Sequence, residues 1–171
     1  MKSILCLLLL ISPILMAGTH VPMKDRSETI QVKIKLEKRS DARRYAEYIR
    51  RSVQLRTIAD NRNHKEVPIS VDIYLIGKNN KSVNKLLMKE SASINLEKFK
   101  NKLHVKTITY TYDDYYKGAR SQTQYEYRGC LVVTKGVDGK IISVEGEYGK
   151  FYTFIEGKSV GDTFNSKGEA R

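Results

Sequence analysis

The 171-residue sequence has few of the residues from which enzyme and metal sites are built. It contains three histidines, two cysteines and no tryptophan. His20, His64 and His104 are isolated from one another and from cysteine, so the usual zinc-ligand spacings are absent. There is also no G-x-S-x-G nucleophile elbow, phosphate loop or dinucleotide fingerprint. We therefore predict no catalytic residue, no cofactor and no metal, in a protein that is not an enzyme.

Long hydrophobic runs are absent except at the N-terminus. Lys2 supplies a positive charge, Ile4 to Met16 is almost wholly apolar, and Ala17 and Gly18 are small. The apolar run is shorter than the roughly 20 residues that a membrane helix needs, and it has the layout of a secretory signal. We predict a signal peptide over residues 1–17 and an exported chain, periplasmic or extracellular, with a retained N-terminal anchor as the alternative.

Loss of residues 1–17 would remove Cys6 and leave Cys130 as the single cysteine, which excludes an intrachain disulfide. Cys130 lies in the apolar run Gly129–Val133, which is typical of a strand. Buried free cysteine behaves as a small hydrophobic residue, and we expect that role here. A free reactive thiol or an intermolecular link is the alternative.

The remaining sequence is dominated by short alternating runs. Ile30, Val32, Ile34 and Leu36 alternate with polar residues, as in a strand with one buried face. Similar or β-branched runs predict strands over residues 30–36, 53–57, 69–75, 92–96, 103–112, 125–134 and 141–147. Asp138-Gly139 predicts a hairpin between the last two. Because most gaps are too short for crossover helices, we predict an all-β, antiparallel immunoglobulin-like β-sandwich of about seven strands.

Two segments do not fit the alternation. Residues 41–51 carry Ala42, Tyr45, Ala46 and Ile49 at helical spacing, which predicts a short helix or an irregular crossover. Beyond Tyr148 the chain is rich in glycine and polar residues. We place the sandwich domain at 18–156 and a flexible tail at 157–171.

Basic residues exceed acidic ones, for a formal net charge of +12. Residues 113–171 hold nine of each, so the excess lies before residue 113. A basic face can bind an acidic glycan or an anionic lipid surface. No nucleic-acid motif is present. The candidate polyanion contacts are Lys98, Lys100, Lys102, Arg43, Arg44, Arg50 and Arg51, the three lysines sharing a face if their run is extended.

Six of the eleven tyrosines lie between residues 110 and 127. Tyrosine offers a flat apolar face and a polar tip, which suits carbohydrate or protein contact. Cross-strand packing between strands five and six is the alternative. The candidate aromatic contacts are Tyr110, Tyr112, Tyr115, Tyr116, Tyr125 and Tyr127.

Residues 53–148 resemble a group of exported bacterial immunoglobulin-like β-sandwich proteins that have no known activity. The similarity lies in Ile73–Gly77, Tyr127–Val133 and Val137–Ile142. It implies the fold and the export signal, and it assigns no functional residue. The predicted function is a non-enzymatic binding or scaffolding role in the cell envelope, with an envelope protein among its partners. The alternatives are a polyanion-binding module and, second, an envelope hydrolase.

Overall fold

A computed structural model describes residues 32–115 and 125–165 of the chain. The predicted signal peptide and Tyr116 lie outside these residues. The strands are β1 (Val32–Arg44), β2 (Tyr48–Asn61), β3 (Val67–Lys78), β4 (Asn84–Leu96), β5 (Leu103–Tyr115), β6 (Glu126–Gly136), β7 (Ile141–Glu145) and β8 (Thr163–Phe164). A single 3-10 turn, Gly149–Phe151, leads into the short helix α1 (Tyr152–Ile155).

The strands form two antiparallel sheets, of order β1-β2-β5 and β7-β6-β3-β4-β8. Strands one, two and five face strands three, six and seven, which is the immunoglobulin-like division. The fourth strand pairs with the third rather than joining the other sheet. The predicted β-sandwich is therefore confirmed, as is the hairpin joining β6 to β7 through residues 137–140.

Alternation of side chains explains the main core. Val53 and Leu55 of β2 point inward, and they meet Val71 and Ile73 of β3 in one hydrophobic cluster between the sheets. Polar residues occupy the outer face of the three-stranded sheet, which faces solvent. The five-stranded sheet differs, because its outer face is also covered.

The C-terminal segment provides that cover. Ile155 and Phe164 pack on Tyr74, Leu131 and their neighbours in a second buried cluster. The near-continuous apolar stretches of β3 and β6 follow from this, since strands buried on both faces need no alternation. Phe164 therefore packs on the five-stranded sheet, although it follows residue 156, where the sequence analysis places the end of the domain.

The short helix or irregular crossover predicted over residues 41–51 is wrong. Residues 41–44 continue β1, and β2 begins at Tyr48, with Arg44 opposite Ile49. The antiparallel ladder with β2 pairs the backbone of this segment, and it outweighs a weak local helical spacing. The two strands are joined by a tight hairpin turn, in which the amide of Tyr45 donates to the carbonyl of Tyr48 at 2.8 Å.

Candidate binding sites at the two ends of the sandwich

The hairpin between β1 and β2 extends beyond the core. Every residue from 38 to 47 is exposed, which includes both faces of β1. Among the described strands, β5 alone continues beside it, reaching Tyr115 opposite Tyr48. We call residues 41–51 with 113–115 the hairpin tip.

Three tyrosines line the hairpin tip. The rings of Tyr45 and Tyr48 stack with centroids 4.7 Å apart and planes inclined by 17°. Tyr115 meets Tyr48 at 5.4 Å. The guanidinium of Arg50 lies 5.7 Å from the Tyr45 ring and 5.5 Å from the Tyr48 ring, within cation–π range. Tyr45 keeps 43% of its surface exposed. The result is an accessible aromatic surface whose rings support one another.

Two arginine–aspartate pairs join β2 to β5 at the hairpin tip, one on each face of the sheet. Arg50 donates to both carboxylate oxygens of Asp113, at 2.8 and 3.1 Å. On the opposite face, Arg51 donates to Asp114 at 3.1 and 3.0 Å. The hydrogen bond from Arg50 holds the pKa of Asp113 below its ordinary value of 3.8. Adjacent strand residues point to opposite faces, so the two aspartates do not converge as an acid–base pair.

The hairpin tip carries no net charge. Its four arginines are matched by four acids, Asp41, Glu47, Asp113 and Asp114. Arg43 lies 3.8 Å from Asp41. The structure therefore brings together four of the predicted polyanion contacts, Arg43, Arg44, Arg50 and Arg51. An equal number of acidic residues lies beside them and balances their charge.

The predicted lysine contacts lie at the other end of the molecule. Lys98, Lys100 and Lys102 occupy the loop between β4 and β5, and β2 alone, with 14 residues, spans roughly 40 Å between the two ends. The condition under which the three lysines would share a face, an extended run, is not met, because Phe99 and Lys102 have φ of 52° and 58°. The seven basic residues therefore cannot form one patch.

The six predicted tyrosines do not form one patch either. Strands β5 and β6 belong to different sheets, so the alternative of direct cross-strand packing between them is also wrong. Tyr127 is buried in the inter-sheet core, against which Tyr110 and Tyr112 pack. Tyr125 lies under Lys85, whose Nζ is 5.1 Å from the ring centroid. Of the five tyrosines in this set that the structure describes, only Tyr115 joins the hairpin tip.

Sequence reasoning missed Tyr45, Tyr48 and Phe99. The first two lie in the segment assigned to a short helix or an irregular crossover, and Ala46-Glu47 between them offers no turn residue as a signal. Phe99 is 57% exposed in the loop between β4 and β5. An aromatic residue between Lys98 and Lys100 was the signal there.

The buried Cys130 thiol lies beside the Glu147 carboxylate, with its Sγ 3.5 Å from Oε2. Burial, and then the neighbouring Glu147 carboxylate, raise the pKa of the Cys130 thiol to about 12. Burial also raises the pKa of Glu147, but hydrogen bonds, led by that from the Cys130 amide at 3.0 Å, leave it below its ordinary value. No group of three metal-binding side chains occurs within residues 32–115 and 125–165. In the same ranges, no helix is long and apolar enough to cross a membrane.

Comparison with known proteins yields only remote structural likeness. No protein-family model and no curated protein match the chain. A calcium-binding mutant of Bacteroides uniformis β-glucuronidase 2 aligns with a TM-score of 0.36 and 10% identity, over 63% of this chain and 12% of that one. A β-glucuronidase of glycoside hydrolase family 2 aligns with a TM-score of 0.35 and 12% identity, over 71% of this chain and 11% of that one. Kluyveromyces marxianus β-glucosidase aligns with a TM-score of 0.25 and 20% identity, over 68% of this chain and 14% of that one.

Proposed function

We propose that this β-sandwich is an exported, non-enzymatic binding module that contacts a partner protein of the cell envelope through the hairpin tip. The observation that carries the proposal is the exposed stack of Tyr45, Tyr48 and Tyr115 with Arg50 beside it. Tyrosine and arginine dominate the residues that supply most of the energy of protein–protein interfaces. Export rests on the apolar N-terminal segment of the sequence.

Preorganisation supports the assignment. The Arg50 side chain is held by two hydrogen bonds to Asp113, and Tyr48 lies between two other rings. Side chains already fixed in place lose less conformational entropy when a partner binds, so more of the contact energy contributes to affinity. The hairpin also projects from the core, and a partner can therefore approach it from several sides.

The charge balance favours a protein over a polyanion at this end. Attraction to an acidic glycan grows with local excess of positive charge. The four arginines of the hairpin tip are opposed by four acids. A protein surface with mixed polar and apolar groups matches that pattern better, since its rim can satisfy both signs of charge.

Site-specific photocrosslinking tests the proposal. A benzoylphenylalanine at position 45, in cells of the source organism, should give a discrete adduct with another protein. The same group at Val137, exposed at the opposite end, is the matched control and should not give that adduct. Tyr48→Ala and Arg50→Ala should abolish the adduct without lowering the thermal unfolding temperature by more than a few degrees.

Three results decide the matter further. An adduct between two copies of the chain would support a protein contact and identify the partner as the chain itself. Adducts of equal yield at positions 45 and 137, or at neither, would overturn the assignment. Binding of a neutral oligosaccharide that Tyr48→Ala removes would replace the protein partner with a carbohydrate.

A further inference from the structure

The end of the sandwich opposite the hairpin tip has a different surface chemistry. Three loops lie at that end: residues 62–66, 97–102 and 137–140. Two of the exposed large apolar side chains, Phe99 at 57% and Val137 at 81%, lie on these loops. The loops hold six basic and three acidic residues, a net charge of +3. We call them the basic end.

A buried asparagine orders two of these loops. Asn61 has no exposed surface, and its side-chain amide donates to the carbonyls of Leu96 and Glu97 at 3.0 and 2.9 Å. Its Oδ1 accepts from the amide of Asn63 at 2.9 Å. The backbone amide of Asn61 donates to the carbonyl of Lys100 at 2.8 Å. The loop of residues 97–102, which carries Phe99, is therefore tied to the core.

Phe99 is held outward in a strained conformation. Its φ of 52° lies in the left-handed region, which bulky residues rarely adopt and which costs about 1–3 kcal/mol. Its amide donates to the carbonyl of Asn63 at 3.2 Å. Among the described residues, its ring pairs with that of His64 alone, in a T-shaped arrangement with centroids 4.8 Å apart. Strain that leaves a large apolar side chain in solvent indicates a contact that the isolated chain does not make.

We propose that the basic end docks on an anionic lipid surface, with Phe99 and Val137 entering the headgroup boundary. Lys98, Lys100 and Lys102 surround Phe99 on the same loop. Basic residues near an anionic bilayer each contribute about 1 kcal/mol, and an adjacent apolar side chain adds burial. A soluble polyanion would explain the charge, but it leaves the two separate apolar projections unaccounted for.

The absence of tryptophan gives a position-specific test. In the full chain, Phe99→Trp introduces a single indole at the proposed contact. Val160→Trp is the matched control, because Val160 is equally exposed, at 58%, but its neighbour Gly161 bonds to Leu86 near the other end. Since residues 4–16 are themselves apolar, indole emission and quenching by brominated lipid are the readouts, rather than total binding.

With vesicles containing phosphatidylglycerol, the Phe99→Trp emission should shift to shorter wavelength and be quenched by brominated chains. The Val160→Trp emission should be unchanged. Both effects should disappear on phosphatidylcholine alone and in high salt. Replacing Lys98, Lys100 and Lys102 by Ser should raise the lipid concentration for half-maximal shift at least about tenfold, from the contribution per lysine.

Two further variants separate the alternatives. Phe99→Asn suits the left-handed backbone and removes the apolar group, so it should lower the quenching of a Val137→Trp probe. Tyr45→Ala should leave quenching unchanged, because the hairpin tip is a different site. No shift for Phe99→Trp, or an equal shift for Val160→Trp, would overturn the proposal. Heparin retention that depends on the lysines, without any shift on vesicles, would replace lipid with a soluble polyanion.

Discussion

Arg50 and Asp113 lie directly opposite each other on β2 and β5, 63 residues apart in the chain, and are joined by two hydrogen bonds. The pair is bidentate, the geometry in which a guanidinium binds a carboxylate most specifically. It fixes the arginine beside the exposed tyrosine stack. The same strands place Arg51 and Asp114 on the other face.

Removal of the guanidinium should restore the titration of Asp113. In Arg50→Gln, we expect the pKa of Asp113 to rise toward its ordinary value of 3.8, because the hydrogen bond that lowers it is lost. Carboxyl NMR against pH measures this. Arg51→Gln is the control and should leave Asp113 unchanged. Because the pKa of Asp113 is lower in the folded state than in the unfolded state, its ionisation stabilises the fold at pH values above the unfolded pKa. That stabilisation is lost as the pH falls through the folded-state pKa.

Asn61 should be the most sensitive polar residue of the basic end. Asn61→Ala removes its side-chain hydrogen bonds to the carbonyls of Leu96 and Glu97, and should lower the free energy of unfolding by about 2 kcal/mol or more. Asn101→Ala, an exposed change in the neighbouring loop, should stay within about 0.5 kcal/mol. Urea unfolding of both variants measures the difference. Equal stability of the two would contradict the role given to Asn61.

Gly146 should not tolerate a side chain. An added Cβ would lie 2.4 Å from the carbonyl oxygen of Cys130, and φ is 99°. Gly146→Ala should therefore cost about 2 kcal/mol or more. Gly157→Ala has open space around it, and should change stability by less than about 1 kcal/mol. Thermal unfolding of the two variants compares them, and similar unfolding temperatures would refute the expectation.

The C-terminal segment should contribute to stability. Phe164 is 1% exposed in the second core cluster, and Phe164→Ala should cost about 3–5 kcal/mol. Val160→Ala, an exposed change in the same segment, is the control and should stay within about 0.5 kcal/mol. Chemical denaturation distinguishes them. A small effect of Phe164→Ala would favour the flexible tail from residue 157 that the sequence predicts.

The Cys130 thiol should be inert in the folded protein. In a Cys6→Ser background, Ellman's reagent should not react at pH about 9, because the pKa is raised to about 12 and the side chain is buried. Guanidinium should then expose one reactive thiol per chain. Rapid labelling of the native protein would instead reopen the possibility of an activated cysteine.

The pattern of side chains along the chain was sufficient to predict the strands and their assembly into an antiparallel sandwich. Apolar and polar residues alternate along the strands that contain Ile34 and Val53, because neighbouring residues of a pleated strand point to opposite faces. The β6–β7 hairpin was likewise predictable from Asp138-Gly139, since Gly139 takes the positive φ of 75° that its turn requires.

Only the tertiary structure decided which side chains meet. Arg50 finds Asp113 because β2 pairs with β5, and that choice is made by packing between sheets rather than by residues near either one. Residues 41–51 do not form the predicted helix, because backbone pairing between β1 and β2 outweighs a small local helical preference. Placement of the arginines and the lysines at opposite ends follows from strand direction, which composition and charge counts do not contain.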